Sequence, residues 1–189
     1  PFADGNGRVG RGLIHYVLRR RELAPHFLPP ISPVLAGHRG PYLAGLNGYA
    51  AGRLEEWTDL FCWATQRATT RADRLVSDVE TLQAAWRERA RHPRADSSAE
   101  AFIRVLPGHP VLTVEMAANL VGRSVQAANL ALRSLEDAQV VKQISAGKWR
   151  RAFEAAEVLS LYNAFEHDLA VPDGRARPAR QAPTRGPVR

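Results

Sequence analysis

The 189-residue chain carries 26 Lys and Arg against 19 Asp and Glu, a formal charge of +7, and 45% of it is hydrophobic. That is enough apolar sequence for one ordinary domain or two small ones, and no apolar run approaches the length that spans a bilayer. The charge invites an anionic partner but discriminates weakly: only Lys142 and Lys148 are lysines, and Arg175, Arg177, Arg180, Arg185 and Arg189 sit after Val171 against Asp173 alone. The single Cys62, set among Leu60, Phe61 and Trp63, excludes an internal disulfide framework. It reads as a small buried hydrophobe in a reduced, cytoplasmic protein.

The chain opens with Pro1-Phe2-Ala3-Asp4-Gly5-Asn6-Gly7-Arg8-Val9-Gly10-Arg11. Gly5 and Gly7 can adopt backbone angles closed to other residues, which would curl the amides of Gly5, Asn6 and Gly7 around an anion. Val9, Leu13, Ile14, Val17 and Leu18 follow at helical spacing, so these amides would stand at a helix N-terminus with its positive dipole end toward the anion. Arg8, Arg11 and His15 recur at i, i+3 and i+7 and share one face. Asp4 is a hard oxygen ligand suited to Mg²⁺.

This stretch resembles the core motif of the Fic family of AMP-transferases, His-x-Phe-x-Asp/Glu-Gly-Asn-Gly-Arg-x-x-Arg, with Phe2, Asp4, Gly5, Asn6, Gly7, Arg8 and Arg11 in register. The family's histidine, its general base, would stand immediately before Pro1. The resemblance therefore implies a C-terminal portion of a longer protein adenylyltransferase, inactive as it stands. It further implies ATP as substrate, Mg²⁺ held by Asp4, phosphate oxygens bound by the Gly5, Asn6 and Gly7 amides, and the α-phosphate fixed by the Asn6 side chain. Arg8 would neutralise the outer phosphates and Arg11 grip the γ-phosphate, while AMP passes to a Ser, Thr or Tyr hydroxyl of a target protein. Removal of AMP, or transfer of another phosphate-containing group, stays open. The family's inhibitory pattern, Ser/Thr-x-x-x-Glu-Gly/Asn, is not found, since Ser97-Ser98-Ala99-Glu100 lacks its spacing. An inhibitory helix or a partner antitoxin would have to supply that control.

The motif helix is expected to run to about Glu22 or Leu23, and the prolines at 25, 29, 30 and 33 make residues 26–40 a connection. A helix over 41–51 carries Tyr42, Leu46 and Tyr49; the tyrosines read as core residues, the alternative being that they border the nucleotide pocket. Gly52 breaks it. Two amphipathic helices then follow, the first with Leu54, Trp57, Leu60, Phe61, Ala64 and Ala68, the second with Ala72, Leu75, Val76, Val79, Leu82 and Trp86. Ser32-Pro33, Tyr42, Gly52 and Trp57 resemble the second half of a Fic domain. His15, His26 and His38 lack metal-ligand spacing and read as surface or satisfied core residues.

The pattern changes at Ala95-Asp96-Ser97-Ser98, a linker and helix cap. A short helix ends at Pro107-Gly108, Thr113 caps a second over 114–120, and Ser124 caps a third over 125–138. Residues 140–144 and 149–153 form a hairpin, and a final helix covers 155–169. This is the order of a winged helix-turn-helix, and it resembles the C-terminal extension of many bacterial Fic proteins. DNA readout would use Ser124, Gln126, Asn129 and Arg133 on the third helix and Lys148, Arg150 and Arg151 on the hairpin. The apolar Ala127, Leu130 and Ala131 favour a protein-interaction or homodimer module instead. Residues 171–189 are expected to be a disordered Arg- and Pro-rich tail.

The expectation is thus a mainly α protein: 1–94, the C-terminal part of an all-α Fic domain; 95–170, a winged helix-turn-helix domain with a β-hairpin wing; and the tail. The rival is a DNA-binding transcriptional regulator whose Fic part senses nucleotide or is idle.

Overall fold

The computed structural model describes residues 3–25, 27–144 and 151–171. The protein is mainly helical with one small antiparallel sheet. The elements run α1 (Asn6–Arg20), α2 (Ile31–Gly37), α3 (Arg39–Ala50), α4 (Leu54–Arg89), α5 (Ser98–Val105), β1 (Val111–Thr113), α6 (Val114–Val121), α7 (Val125–Asp137), β2 (Lys142–Gln143), β3 (Ala152–Glu154) and α8 (Ala156–Ala170). The expected tail after Val171, the hairpin tip with Lys148 and Arg150, and Phe2 and His26 lie outside the described residues.

Several helix starts follow directly from side-chain chemistry. The Ser97, Thr113 and Ser124 hydroxyls each accept the N–H three residues on, from Glu100, Met116 and Ala127, at 3.2 Å. Each satisfies one of the donors that a helix leaves open in its first turn. Gly122 ends α6 with φ +64°, the left-handed position that favours glycine.

Two expectations are corrected. Residues 54–89 form one helix of 36 residues, about 54 Å long at the usual rise, rather than two. No Gly or Pro occurs between Leu54 and Arg89, so nothing interrupts the backbone ladder where the apolar stripe shifts. The proline-rich connection also contains α2, with Ile31, Val34 and Leu35 buried. Pro33 falls in its first turn, where a missing N–H removes no ladder bond.

The core has two clusters. The first gathers Ile31, Val34 and Leu35 of α2, Leu60, Ala64 and Ala68 of α4, and Leu169 of α8, with Ile14, Leu18, Tyr42, Trp57 and Phe61 packed on it. The second gathers Trp86 of α4, Phe102, Ile103 and Leu106, Leu112, Ala117, Leu132 and Leu135, Phe153 and Val158. Thus α4 and α8 contribute to both. α8 is fastened to α4 at both of its own ends: the Trp86 indole and Arg89 donate to Glu157, while Arg67 donates to the Asp168 and Val171 carbonyls and Arg71 pairs with Asp168 at 2.9 Å.

The sheet closes the second cluster. Its order is β1-β3-β2, antiparallel, with Leu112 opposite Phe153 and Gln143 also opposite Phe153. β1 is absent from the sequence reading because three residues are too few for a periodicity; β3 as partner defines it. Among the described residues no helix is long and apolar enough to cross a membrane.

Candidate functional site

The candidate site is the N-terminal end of α1. Gly5 is its N-cap with φ +80°, a conformation closed to most side chains. The Asp4 Oδ1 accepts the Gly5 N–H at 2.6 Å. The first helical backbone bond runs from Val9 N to Gly5 O at 3.0 Å, so the Gly7 and Arg8 amides lie ahead of the ladder at the positive end of the helix dipole. Of the two glycines that can adopt such angles, only Gly5 does: Gly7 is helical.

The charged side chains converge on this end. Arg8 pairs with Asp4 at 3.6 Å, both well exposed. A Cβ placed on Gly5 would stand 3.7 Å from Arg8 Nη2, and one on Gly7 would stand 3.6 Å from Arg11 Nη1. Both guanidinium groups therefore fold back along the helix toward its first turn, as the tilt of helical side chains favours. Two cations and first-turn amides make an exposed electropositive end able to hold a polyanion. Among the described residues Asp4 is the carboxylate at this end, paired with Arg8, and no group of three or more His, Cys, Asp and Glu suited to a metal occurs. Mg²⁺ bound at one carboxylate takes its other ligands from phosphate and water, so the donor set fits a nucleotide-carried Mg²⁺ rather than a protein cage.

His15, two turns beyond Arg8 on the same face, differs from its expectation. It is half-buried, and its Nδ1 is enclosed without a hydrogen-bond partner among the described residues. His38 is satisfied as expected, its Nδ1 2.9 Å from the Val34 carbonyl and its ring edge-on to Trp63. Tyr42 packs on the first cluster beside Trp57, but Tyr49 is exposed, and so is Cys62. Both fall on helix faces that no described element covers.

The third-helix residues form a separate set. Ser124, Gln126 and Arg133 are exposed, with the Ser124 hydroxyl also occupied in capping α7. Asn129 is half-buried with an enclosed, unpartnered Oδ1. Arg151 is half-buried beside the sheet, its carbonyl accepting the Val114 N–H.

Fold and site together define a mainly helical protein with an exposed helix end that carries Asp4, Arg8 and Arg11. No protein-family model matches the chain, and no curated protein matches it either.

Proposed function

We propose that this chain carries the nucleotide-binding loop and motif helix of a Fic-type protein adenylyltransferase, followed by a winged helix-turn-helix module. The observation that supports the reading is the uninterrupted set Asp4-Gly5-Asn6-Gly7-Arg8 with Arg11, seated on a helix N-terminus with a left-handed glycine cap. A solvated surface helix needs a capping carboxylate, but neither two glycines around an asparagine nor two arginines folded back to the first turn.

In this reading ATP places its phosphates against the first-turn amides, and the Asn6 side chain orients the α-phosphate. Arg8 and Arg11 offset the charge of the outer phosphates as AMP passes to a Ser, Thr or Tyr hydroxyl of a target protein, with pyrophosphate leaving. Positioning and charge stabilisation carry most of such a transfer. Mg²⁺, when bound at Asp4 with the nucleotide, supplies further neutralisation of the phosphates. The proton of the attacking hydroxyl goes to the histidine that the family places before Pro1. The setting is cytoplasmic, and control rests with an inhibitory helix or antitoxin.

Calorimetric titration with Mg²⁺-ATP tests the binding half: the chain binds, and Arg11→Ala loses about two orders of magnitude in affinity or transfer. A form that carries a histidine immediately before Pro1, given α-labelled ATP and a cell lysate, tests the transfer half. Label on protein that disappears in Arg11→Ala is the expected result; unlabelled protein and absent binding together favour the DNA-binding regulator. That second reading draws on the order of α5, α6, α7 and the β2–β3 pair and on the exposed Gln126 and Arg133.

A further inference from the structure

The outward face of α7 is unusual for a helix whose other side is a well-packed stripe of Ala128, Leu132 and Leu135. At its centre Leu130 is 61% exposed. By the 3.6-residue period Gln126, Arg133, Ser134 and Asp137 share that face, and all four are exposed. Arg123 stands at the N-terminal end, held there by a bond from its Nη2 to the Asp96 carbonyl at 2.6 Å with its other N–H groups still to be used.

The charges on this face are set against their own helix. Arg123 lies at the positive end of the α7 dipole and Asp137 at the negative end, and the helix has no acidic residue in its first turn and no basic one in its last. Each arrangement is unfavourable within one chain. Two copies of α7 packed antiparallel about Leu130 reverse both signs. Arg123 of each copy then meets Asp137 and the carbonyl end of the other α7, Leu130 meets Leu130, and Gln126 meets Ser134. Such a contact is self-complementary, as a two-fold interface must be.

We propose that this face of α7 docks on the same face of a second copy of this chain, giving an isologous dimer. The inference is independent of the nucleotide reading, since it uses no residue of α1. A DNA-reading helix would place its exposed side chains toward phosphates and base edges; a leucine at the centre and an aspartate at one end serve neither.

Sedimentation equilibrium of the full chain tests it. The expected result is a species of twice the chain mass, whose dissociation constant rises roughly tenfold or more in Leu130→Asp with the helical circular dichroism unchanged. Arg123→Asp and Asp137→Arg should each weaken the dimer, and the double variant should recover it by swapping the charges. A restored pair separates a docking contact from damage to the fold. A wild-type chain that stays monomeric, a dimer indifferent to Leu130→Asp, or a double variant weaker than either single one overturns the proposal. A monomer that retards duplex DNA through Gln126 and Arg133 overturns it in favour of groove reading.

Discussion

Glu100 is the one charged residue buried among those described, 5% exposed at the start of α5. The Arg87 guanidinium makes three bonds to its two oxygens and Arg104 adds a fourth. The hydrogen bonds from Arg87 lead in holding its carboxyl below the ordinary 4.5, against the upward push of burial, with Arg104 adding to the drop. At Glu157 burial also pushes upward and is outweighed by the bonds from Arg89 and the Trp86 indole. A carboxylate with a lowered folded value stabilises above its unfolded value, and that stabilisation fades as the pH falls through the folded one. Stability measured by urea unfolding should therefore be level above about pH 5 and fall below it. Glu100→Gln should lower it by about 2 kcal/mol at neutral pH and flatten part of the acid decline, because its arginine partners keep access to water. Gly37 offers a second test at this scale. A Cβ there would collide with the Ala170 carbonyl oxygen where the end of α2 meets the end of α8. Backbone must move to admit it, so Gly37→Ala should cost about 1–3 kcal/mol, read as a lowered melting temperature.

At the scale of the element, α1 separates the roles of its glycines. Gly5 takes φ +80° as N-cap, while Gly7 lies inside the helix with room for a Cβ. Gly5→Ala should strain the turn by about 1 kcal/mol or more and weaken Mg²⁺-ATP in the same titration. Gly7→Ala should raise helix stability by up to about 1 kcal/mol and leave the turn intact. Equal losses of affinity in both would mean that the anion approaches Gly7 more closely than a methyl allows. The α1 faces are also distinct: Ile14 and Leu18 pack on the first cluster, whereas Val9, Leu13, Tyr16 and Val17 are exposed. The helix is therefore held by one side, with Arg8 and Arg11 left exposed.

For the whole molecule the decisive feature is that α4 and α8 pass through both clusters. Trp57 packs on the first and Trp86 is fully buried in the second. Unfolding should be one cooperative event, because neither cluster can open without stripping a long helix that the other uses. Fluorescence of a variant keeping only Trp57 and one keeping only Trp86 should therefore report coincident urea midpoints once each is compared with circular dichroism of the same variant. Two separated transitions in either variant would show that the clusters are independent.

The sequence by itself determined what nearest neighbours along the chain control. The caps at Ser97, Thr113 and Ser124, the helix opening at Gly5-Asn6 and the final helix all depend on hydrogen bonds and periodicities within a few residues, and these were legible; Val125, expected in the buried stripe of α7 with Ala128, Leu132 and Leu135, is instead exposed. The sequence also placed Asp4, Arg8 and Arg11 near one helix end, since three-residue spacing fixes a shared face. Only the tertiary structure decided what depends on distant partners: that 54–89 is one helix serving two clusters, that α2 forms among prolines because α4 and α8 accept Ile31, Val34 and Leu35, and that β1 exists beside β3. The same holds for Cys62 and Tyr49, which lie exposed, and for His15, whose Nδ1 is enclosed without a partner among the described residues. An amphipathic pattern says that a face is apolar; which element covers it is settled only by the packing of the rest of the chain.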